Sequence, residues 1–224
     1  MVQMGTALPL FDELRRTGGN DELHTFSLPN RADECAAKDI TIRLADCDGE
    51  RNSANMLLSR KYSARGYGRH HHVPTVSNCV TFTASSKGSV IGTLSLTIDS
   101  PDGLACDRTF REELEGFRQA KGARICELTK FAFDTSKPSL DLLASLFHII
   151  FIYGTHKFQC TDLFIEVNPR HRRFYETMLN FRSIGPMKTN EAVAAPSHLM
   201  WLKVSDIRRH IDMHAGKQSS APHS

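Results

Sequence analysis

The run from Leu140 to Gly154 limits what this chain can fold into more than any other segment. Leu140, Leu143, Phe147 and Ile150 recur at helical spacing, while Leu142, Leu146 and Ile149 occupy the other side. A helix that is apolar nearly all round has to be surrounded by protein. The run also holds Asp141 and His148, and it falls short of the roughly 20 apolar residues that a membrane span needs. It predicts a central buried helix. Pro138 sits in its first turn, where the missing N–H would have had no partner anyway.

A helix of this kind needs a sheet to pack on, and the flanking sequence supplies strands. Asp39–Leu44 alternates polar and apolar residues with period two. Cys79–Ala84 and Val90–Ile98, separated by Ser85-Ser86-Lys87-Gly88-Ser89, read as a hairpin. Arg124–Phe133, the short buried run Leu163–Val167 and Met200–Val204 complete the strands. Between them lie helical segments: one capped by Asp48 or Ser53 and carrying Met56, Leu57 and Leu58, then Asp107–Arg118, then one around Phe174, Tyr175, Met178 and Leu179. This order predicts α/β or α+β layers around one sheet. Before Asp39 the chain is poor in β-branched residues and carries two turn-like clusters, so it is expected to be irregular, with a short helix around Pro9–Arg16.

A length of 224 residues allows one full-sized domain plus tails or two small domains, and 40% hydrophobic with 24% charged residues is an ordinary globular balance. A net charge of +3 excludes a chain-wide nucleic-acid-binding polycation, so no nucleic-acid partner is expected. The six cysteines (Cys35, Cys47, Cys79, Cys106, Cys126 and Cys160) contain no Cys-x-x-Cys pair, and reduced thiols are expected. Met1–Leu10 has neither a basic residue nor a long apolar stretch, so no secretory signal is expected, and a soluble cytoplasmic protein is. His70-His71-His72 lacks the spacing of a ligand set, and no metal is expected.

Two segments carry a resemblance. Arg124-Ile125-Cys126-Glu127-Leu128-Thr129-Lys130-Phe131-Ala132-Phe133-Asp134 resembles the central strand motif of acyl-homoserine lactone synthases. Val167-Asn168-Pro169-Arg170-His171-Arg172-Arg173-Phe174-Tyr175, running to Phe181, resembles the strand-to-helix segment of GNAT N-acetyltransferases. Together they look most like the long-chain N-acyl amino acid synthases. The resemblance implies a GNAT-like acyl-CoA N-acyltransferase fold, a central mixed sheet flanked by helices, over residues 39–212. A flexible extension (1–38) and a disordered tail (213–224) would flank it. It also implies transfer of a medium or long fatty acyl group from acyl carrier protein to an amino acid's amine. The acyl-phosphopantetheine of the carrier would be co-substrate, with acyl-CoA as the alternative donor and no bound cofactor.

The residues bear on that chemistry. Acyl transfer from a thioester to an amine needs a base for the amine, polarisation of the carbonyl and a proton for the thiolate. Strict alternation puts Glu127 on one strand face with Ile125, Phe131 and Phe133, where apolar neighbours would raise its pKa and suit it to accept the amine's proton. The same glutamate also fits a structural ion pair with Arg124 or Lys130. Tyr175 matches the position of a thiolate-protonating tyrosine and also reads as a core residue. Thr129, Lys130, Phe131, Phe133 and Asn168 match substrate-binding positions. The usual glycine-rich phosphate loop is replaced by Asp134-Thr135-Ser136-Lys137-Pro138-Ser139, without glycine. Proline removes a donor, so Ser136, Lys137 and Ser139 suit the single phosphate of phosphopantetheine better than a pyrophosphate.

Two basic clusters are candidate docking surfaces for an acidic carrier protein: Arg60, Lys61 and Arg65, and Arg170, Arg172 and Arg173. Such runs also read as solvated faces or as phosphate or RNA contacts. Phe82, Leu94, Leu96, Phe131, Phe133, Phe147, Ile150 and Phe151 could line an acyl slot and are equally explained as core. Three rival readings remain at this point: an acetyl-CoA N-acetyltransferase, a homoserine lactone synthase and a non-catalytic acyl-binding module.

Overall fold

The fold was read from a computed structural model, which describes residues 22–28, 38–68, 71–134 and 140–207. The expected strands are present as β2 (Lys38–Leu44), β3 (Cys79–Ser86), β4 (Ser89–Ile98), β5 (Ile125–Phe133), β6 (Asp162–Val167) and β8 (Ala195–Lys203). Two more strands join them: β1 (Glu22–Leu28) and β7 (Arg182–Asn190). The eight form one sheet in the order β1-β2-β3-β4-β5-β6-β8-β7. Among the described residues the helices that pack on it are α1 (Asp48–Ser63), α2 (Asp107–Arg118), α3 (Leu140–Ile152) and α4 (Pro169–Leu179).

β1 corrects the expectation of an irregular start, because it pairs antiparallel with β2 (Thr25↔Thr41). Such pairing is made by main-chain groups, and a segment poor in β-branched residues can still make it. β7 escaped the strand pattern because Gly185 and Pro186 interrupt it. The register with β8 shifts between Ile184 and Lys188, and an edge strand tolerates the proline. α1 also starts differently from expectation. Cys47 is its N-cap without a side-chain bond, Asp48 lies in the first turn, and the Ser53 hydroxyl donates to Gly49 O inside the helix at 3.0 Å.

The apolar run is the expected central helix. α3 packs Leu142, Leu146, Phe147 and Ile150 on the sheet face that carries Cys126, Leu128, Leu163 and Ile165. It continues as a π turn, Tyr153–Lys157, where Phe158 N–H donates to Tyr153 O at 2.9 Å. Tyr175 and Leu179 of α4 pack on this same core. The opposite face is covered by α1, through Ala54, Leu57 and Leu58, and by α2, through Phe110 and Leu114.

Two irregularities of β5 shape everything that follows. β5 and β6 run parallel, with α3 as the crossover, and they pair only as Ile125↔Asp162, Cys126↔Leu163 and Glu127↔Phe164. Beyond Glu127 the two strands part, and the sheet opens a wedge at their C-terminal ends. On its other edge β5 carries a β-bulge. Ser95 faces Thr129 and Thr93 faces Ala132, so Lys130 and Phe131 together oppose Leu94. Lys130 takes the extra residue's conformation with φ 55°.

The bulge overturns the expected company of Glu127. An inserted residue reverses the alternation beyond it. Phe131 and Phe133 therefore turn to the α3 face, while Glu127 stays with Ile125 on the face of α2.

Candidate active site

Glu127 projects from β5 under the loop that opens α2, where its Oε2 accepts the Ala105 N–H at 2.7 Å and the Cys106 N–H at 3.3 Å. It is 2% exposed and forms no ion pair with a described residue, so the expected alternative of a pair with Arg124 or Lys130 does not hold. Burial pushes its carboxyl from 4.5 up to about 7, against the pull of the Cys106 and Ala105 bonds, and nearby Glu166 adds to the rise. A carboxyl poised near 7 can take and return a proton at working pH.

The loop is held in place by a clasp. Arg118 binds Asp99 through Nε (2.7 Å) and Nη2 (2.9 Å), and Asp107 through Nη1 (2.7 Å) and Nη2 (2.6 Å). Asp107 in turn accepts the Leu104 N–H at 2.6 Å. Burial opposes the charge on Asp107, yet Arg118 and the Leu104 N–H prevail and hold its carboxyl below the usual range. Gly103 has φ 76°, and a Cβ there would stand 2.7 Å from the Asp107 carboxylate, so the clasp requires glycine. The backbone donors that face Glu127 are thus fixed before any substrate arrives.

Around Glu127 the sheet face is polar. Thr81 and Ser95 share a buried hydrogen bond of 2.7 Å, Thr97 Oγ1 donates to Cys79 Sγ at 3.2 Å, and Thr83 Oγ1 donates to Glu50 at 3.0 Å. The hydroxyl of Thr93, 0% exposed, has no hydrogen-bond partner among the described residues. Thr129 lies two residues along from Glu127 on this stripe. Burial lowers the pKa of Lys130, with Glu127 and Cys79 acting to raise it again, which places its ammonium within their field. Glu127, Thr129 and Lys130 therefore form one group, while Phe131 and Phe133 belong to another.

That second group stands at the wedge on the α3 face. Phe131 meets Phe133 edge-on at 4.9 Å, and it lies 6.3 Å from Phe147 and 6.5 Å from Tyr175. Burial pushes the Tyr175 phenol far above its ordinary value, partly countered by Arg65, so it stays protonated and able to donate. Of the other acyl-slot candidates, Phe82, Leu94, Leu96 and Ile150 are closed core. Asn168 caps α4, its side chain accepting the Arg170 N–H at 3.2 Å, and Asn180 ends that helix with φ 57°.

The two basic clusters, about a hundred residues apart in sequence, converge at the open end of the wedge. Arg60 pairs with Asp134 at 2.8 Å, and Lys61 donates to Asp134 O at 2.7 Å. Arg170 donates to the Tyr67 hydroxyl at 3.1 Å, and the charge of Arg65 reaches both Tyr175 and His171. Arg172 is paired with Glu176 along α4 at 2.6 Å. Ser136, Lys137 and Ser139 lie outside the described residues, as do the Pro9–Arg16 segment, His70 and the tail.

Sequence reasoning missed two groups. Glu166 shares the α2 face with Glu127, and its Oε1 accepts from Ser197 Oγ at 2.6 Å and Asn190 Nδ2 at 2.8 Å. Arg108, in the first turn of α2, lines two surface depressions. One, of about 580 Å3, includes Ala105; the other, of about 510 Å3, includes Asn190 and Glu191. Glu166 had a readable signal, a carboxylate in a strand of apolar residues. Arg108 had none.

A raised carboxyl makes a stability prediction whose sign follows from linkage. Between 4.5 and about 7 the folded chain holds a proton on Glu127 that the unfolded chain has released. The contribution of this group is therefore complete at low pH and is lost as pH rises through 7. Above that, the fold carries a buried charge costing up to about 3 kcal/mol. Glu127→Gln should gain about 1–3 kcal/mol over the unsubstituted chain in urea unfolding at pH 8, and much less at pH 5. An equal difference at both pH values would refute the raised pKa.

With this geometry in view, the comparisons with known proteins are specific. The family model described as N-acyl amino acid synthase FeeM matches residues 53–203. The solved structure of FeeM, an N-acyl amino acid synthase from uncultured soil microbes, is 27% identical, with a TM-score of 0.68 over 76% of this chain and 95% of that one. The AHL synthase LasI is 14% identical, with a TM-score of 0.54 over 74% of this chain and 90% of its own. Arabidopsis thaliana NAA60, solved with acetyl-CoA, is 12% identical, with a TM-score of 0.54 over 74% and 99%. The last two establish the fold alone, and it is the GNAT-like one expected. No curated protein matches the chain.

Proposed function

We propose, since the chain belongs to the FeeM N-acyl amino acid synthase family, that this acyltransferase moves a medium or long fatty acyl group from acyl carrier protein to the amine of an amino acid. The observation that carries the reading is the placement of Glu127. A buried base poised near 7 stands at the last paired position before β5 and β6 part. An amine lodged on the α2 face gives its proton to Glu127, directly or through one water, and attacks a thioester carbonyl held in the wedge. The tetrahedral intermediate then collapses, the C–S bond breaks, and the thiolate takes a proton. Tyr175 supplies it, since burial on the α3 face keeps its phenol protonated. Lys130, beside Glu127, binds substrate at the join of the two faces. The aromatic group Phe131, Phe133 and Phe147 is suited to the first carbons of an acyl chain.

The donor is assigned from charge. Arg65 and Arg170 lie at the open end of the wedge, with Arg173 three residues along α4 from Arg170, and an acidic carrier protein would be steered there and its phosphopantetheine arm threaded inward. No resident cofactor is needed, and the setting is cytoplasmic, where carrier protein and free amino acids meet. Replacing these three arginines by glutamate tests the assignment. The apparent KM for acyl carrier protein should rise about tenfold or more and lose its salt dependence, while the KM for the amino acid stays put. An unchanged KM would remove carrier docking from this surface. Equal turnover of acyl-CoA and acyl carrier protein by the unsubstituted chain would assign the donor to CoA. Among the described residues no helix is long and apolar enough to cross a membrane.

A further inference from the structure

The α2 face carries an arrangement that the acyl-transfer chemistry above does not use. Arg108 stands between two depressions and forms no ion pair with a described carboxylate. Asp107, on the same wall, is already neutralised by Arg118. Thr109, beside Arg108, lines the second depression and adds a hydroxyl. Ala105 lines the first depression and donates its N–H to Glu127, so the base lies one residue behind that wall. On the far side of the second depression Asn190 is fixed by Glu166, and one oxygen of Glu166 accepts both the Asn190 and Ser197 bonds. Its other oxygen accepts from no described residue, and its charge reaches Glu127.

Arg108 therefore puts a positive charge on the edge of both depressions, its field reaching Lys130 beside Glu127, while the Glu127 and Glu166 carboxylates lie behind their lining. A molecule with a carboxylate at one end and an ammonium at the other can set its carboxylate on Arg108 with its ammonium toward those two acids. We propose that Arg108 grips the α-carboxylate of the acceptor, which fixes the substrate as an amino acid rather than a simple amine and points its amine at Glu127. The Glu127 and Glu166 carboxylates draw the ammonium inward before it loses its proton. This inference rests on the acyl-transfer reading and adds to it the residue that selects the acceptor. Arg108 acts through the substrate's charge, so its loss should weaken binding and selectivity more than turnover.

A competition experiment decides it. The protein is given acyl carrier protein loaded with a fatty acyl group, an equimolar mixture of the twenty amino acids and an equimolar mixture of their carboxamides. Products are read by mass spectrometry. The unsubstituted chain should favour free acids over amides by about tenfold or more, the discrimination that one charge-assisted contact supplies. Arg108→Gln should abolish that preference and raise the KM for the preferred amino acid about tenfold, leaving the donor KM unchanged. Arg108→Lys should recover part of both, since a point charge replaces a fork. Acylated acids made by Arg108→Gln with the original selectivity would overturn this inference and leave the acyl-transfer reading standing. No product from either mixture with the unsubstituted chain would overturn both.

Discussion

Glu127→Gln is expected to lower kcat by roughly 10²–10⁴-fold, the usual worth of a positioned general base. The change keeps the shape of the side chain, and the amide oxygen can still accept the Ala105 and Cys106 N–H groups that now bind Oε2. What it removes is the ability to take a proton. The pH profile separates this from a merely structural effect. In the unsubstituted chain kcat/KM should climb to a plateau as pH passes about 7, because the carboxyl must ionise to act as base. In Glu127→Gln that ascending limb should vanish, and the residual rate should follow the ionisation of the free amine alone. Half or more of the original kcat in the variant would end the assignment. The same substitution is expected to stabilise the fold at alkaline pH, so urea unfolding of the variant at pH 8 separates a loss of activity from unfolding.

Phe164→Ala is expected to cost about 3–5 kcal/mol, the range for emptying a buried aromatic site. Phe164 is 0% exposed, meets Phe117 edge-on at 4.9 Å and lies opposite Glu127 in the last paired position of β5 and β6. α2 and two strands converge on that side chain, and collapse there would draw in the strand that carries Glu127. In a domain of this size the loss corresponds to a fall in Tm on the order of 10 °C. Met56→Ala, at a site 74% exposed on α1, should stay within about 0.5 kcal/mol and serves as the control. A cost below about 1 kcal/mol for Phe164→Ala would show that the junction is not packed as described.

How far the sequence could be read is best seen at β5. Its length and its place beside α3 followed from apolar periodicity, and Glu127 as the candidate base followed from the two family-like segments. The direction Glu127 faces did not. Period-two reasoning assumes an unbroken pleat, and one left-handed residue, Lys130, turns Phe131 and Phe133 to the opposite side. A lysine gives no warning of that conformation, as a glycine would. Partners were similarly hidden. The peptide N–H groups of Ala105 and Cys106 carry no side-chain signature, so a carboxylate amid apolar residues suggested an ion pair, where the fold supplies backbone donors. At α4 the reading was good, since Asn168, Pro169 and Asn180 are local signals of a helix's beginning and end. The meeting of the two basic clusters at the wedge depends on the crossover through α3, which no local window contains.

The central claim is that a fatty acyl group is moved onto an amine with Glu127 as the base, and lipid extracts test it most directly. Mass spectrometry of cells overproducing the chain should reveal a new series of amide-linked acylated amino acids, spaced by the carbon number of their acyl chains. Cells overproducing Glu127→Gln at the same protein level should lack it. The same series at the same abundance in both, or no acylated amine in either, would contradict the account.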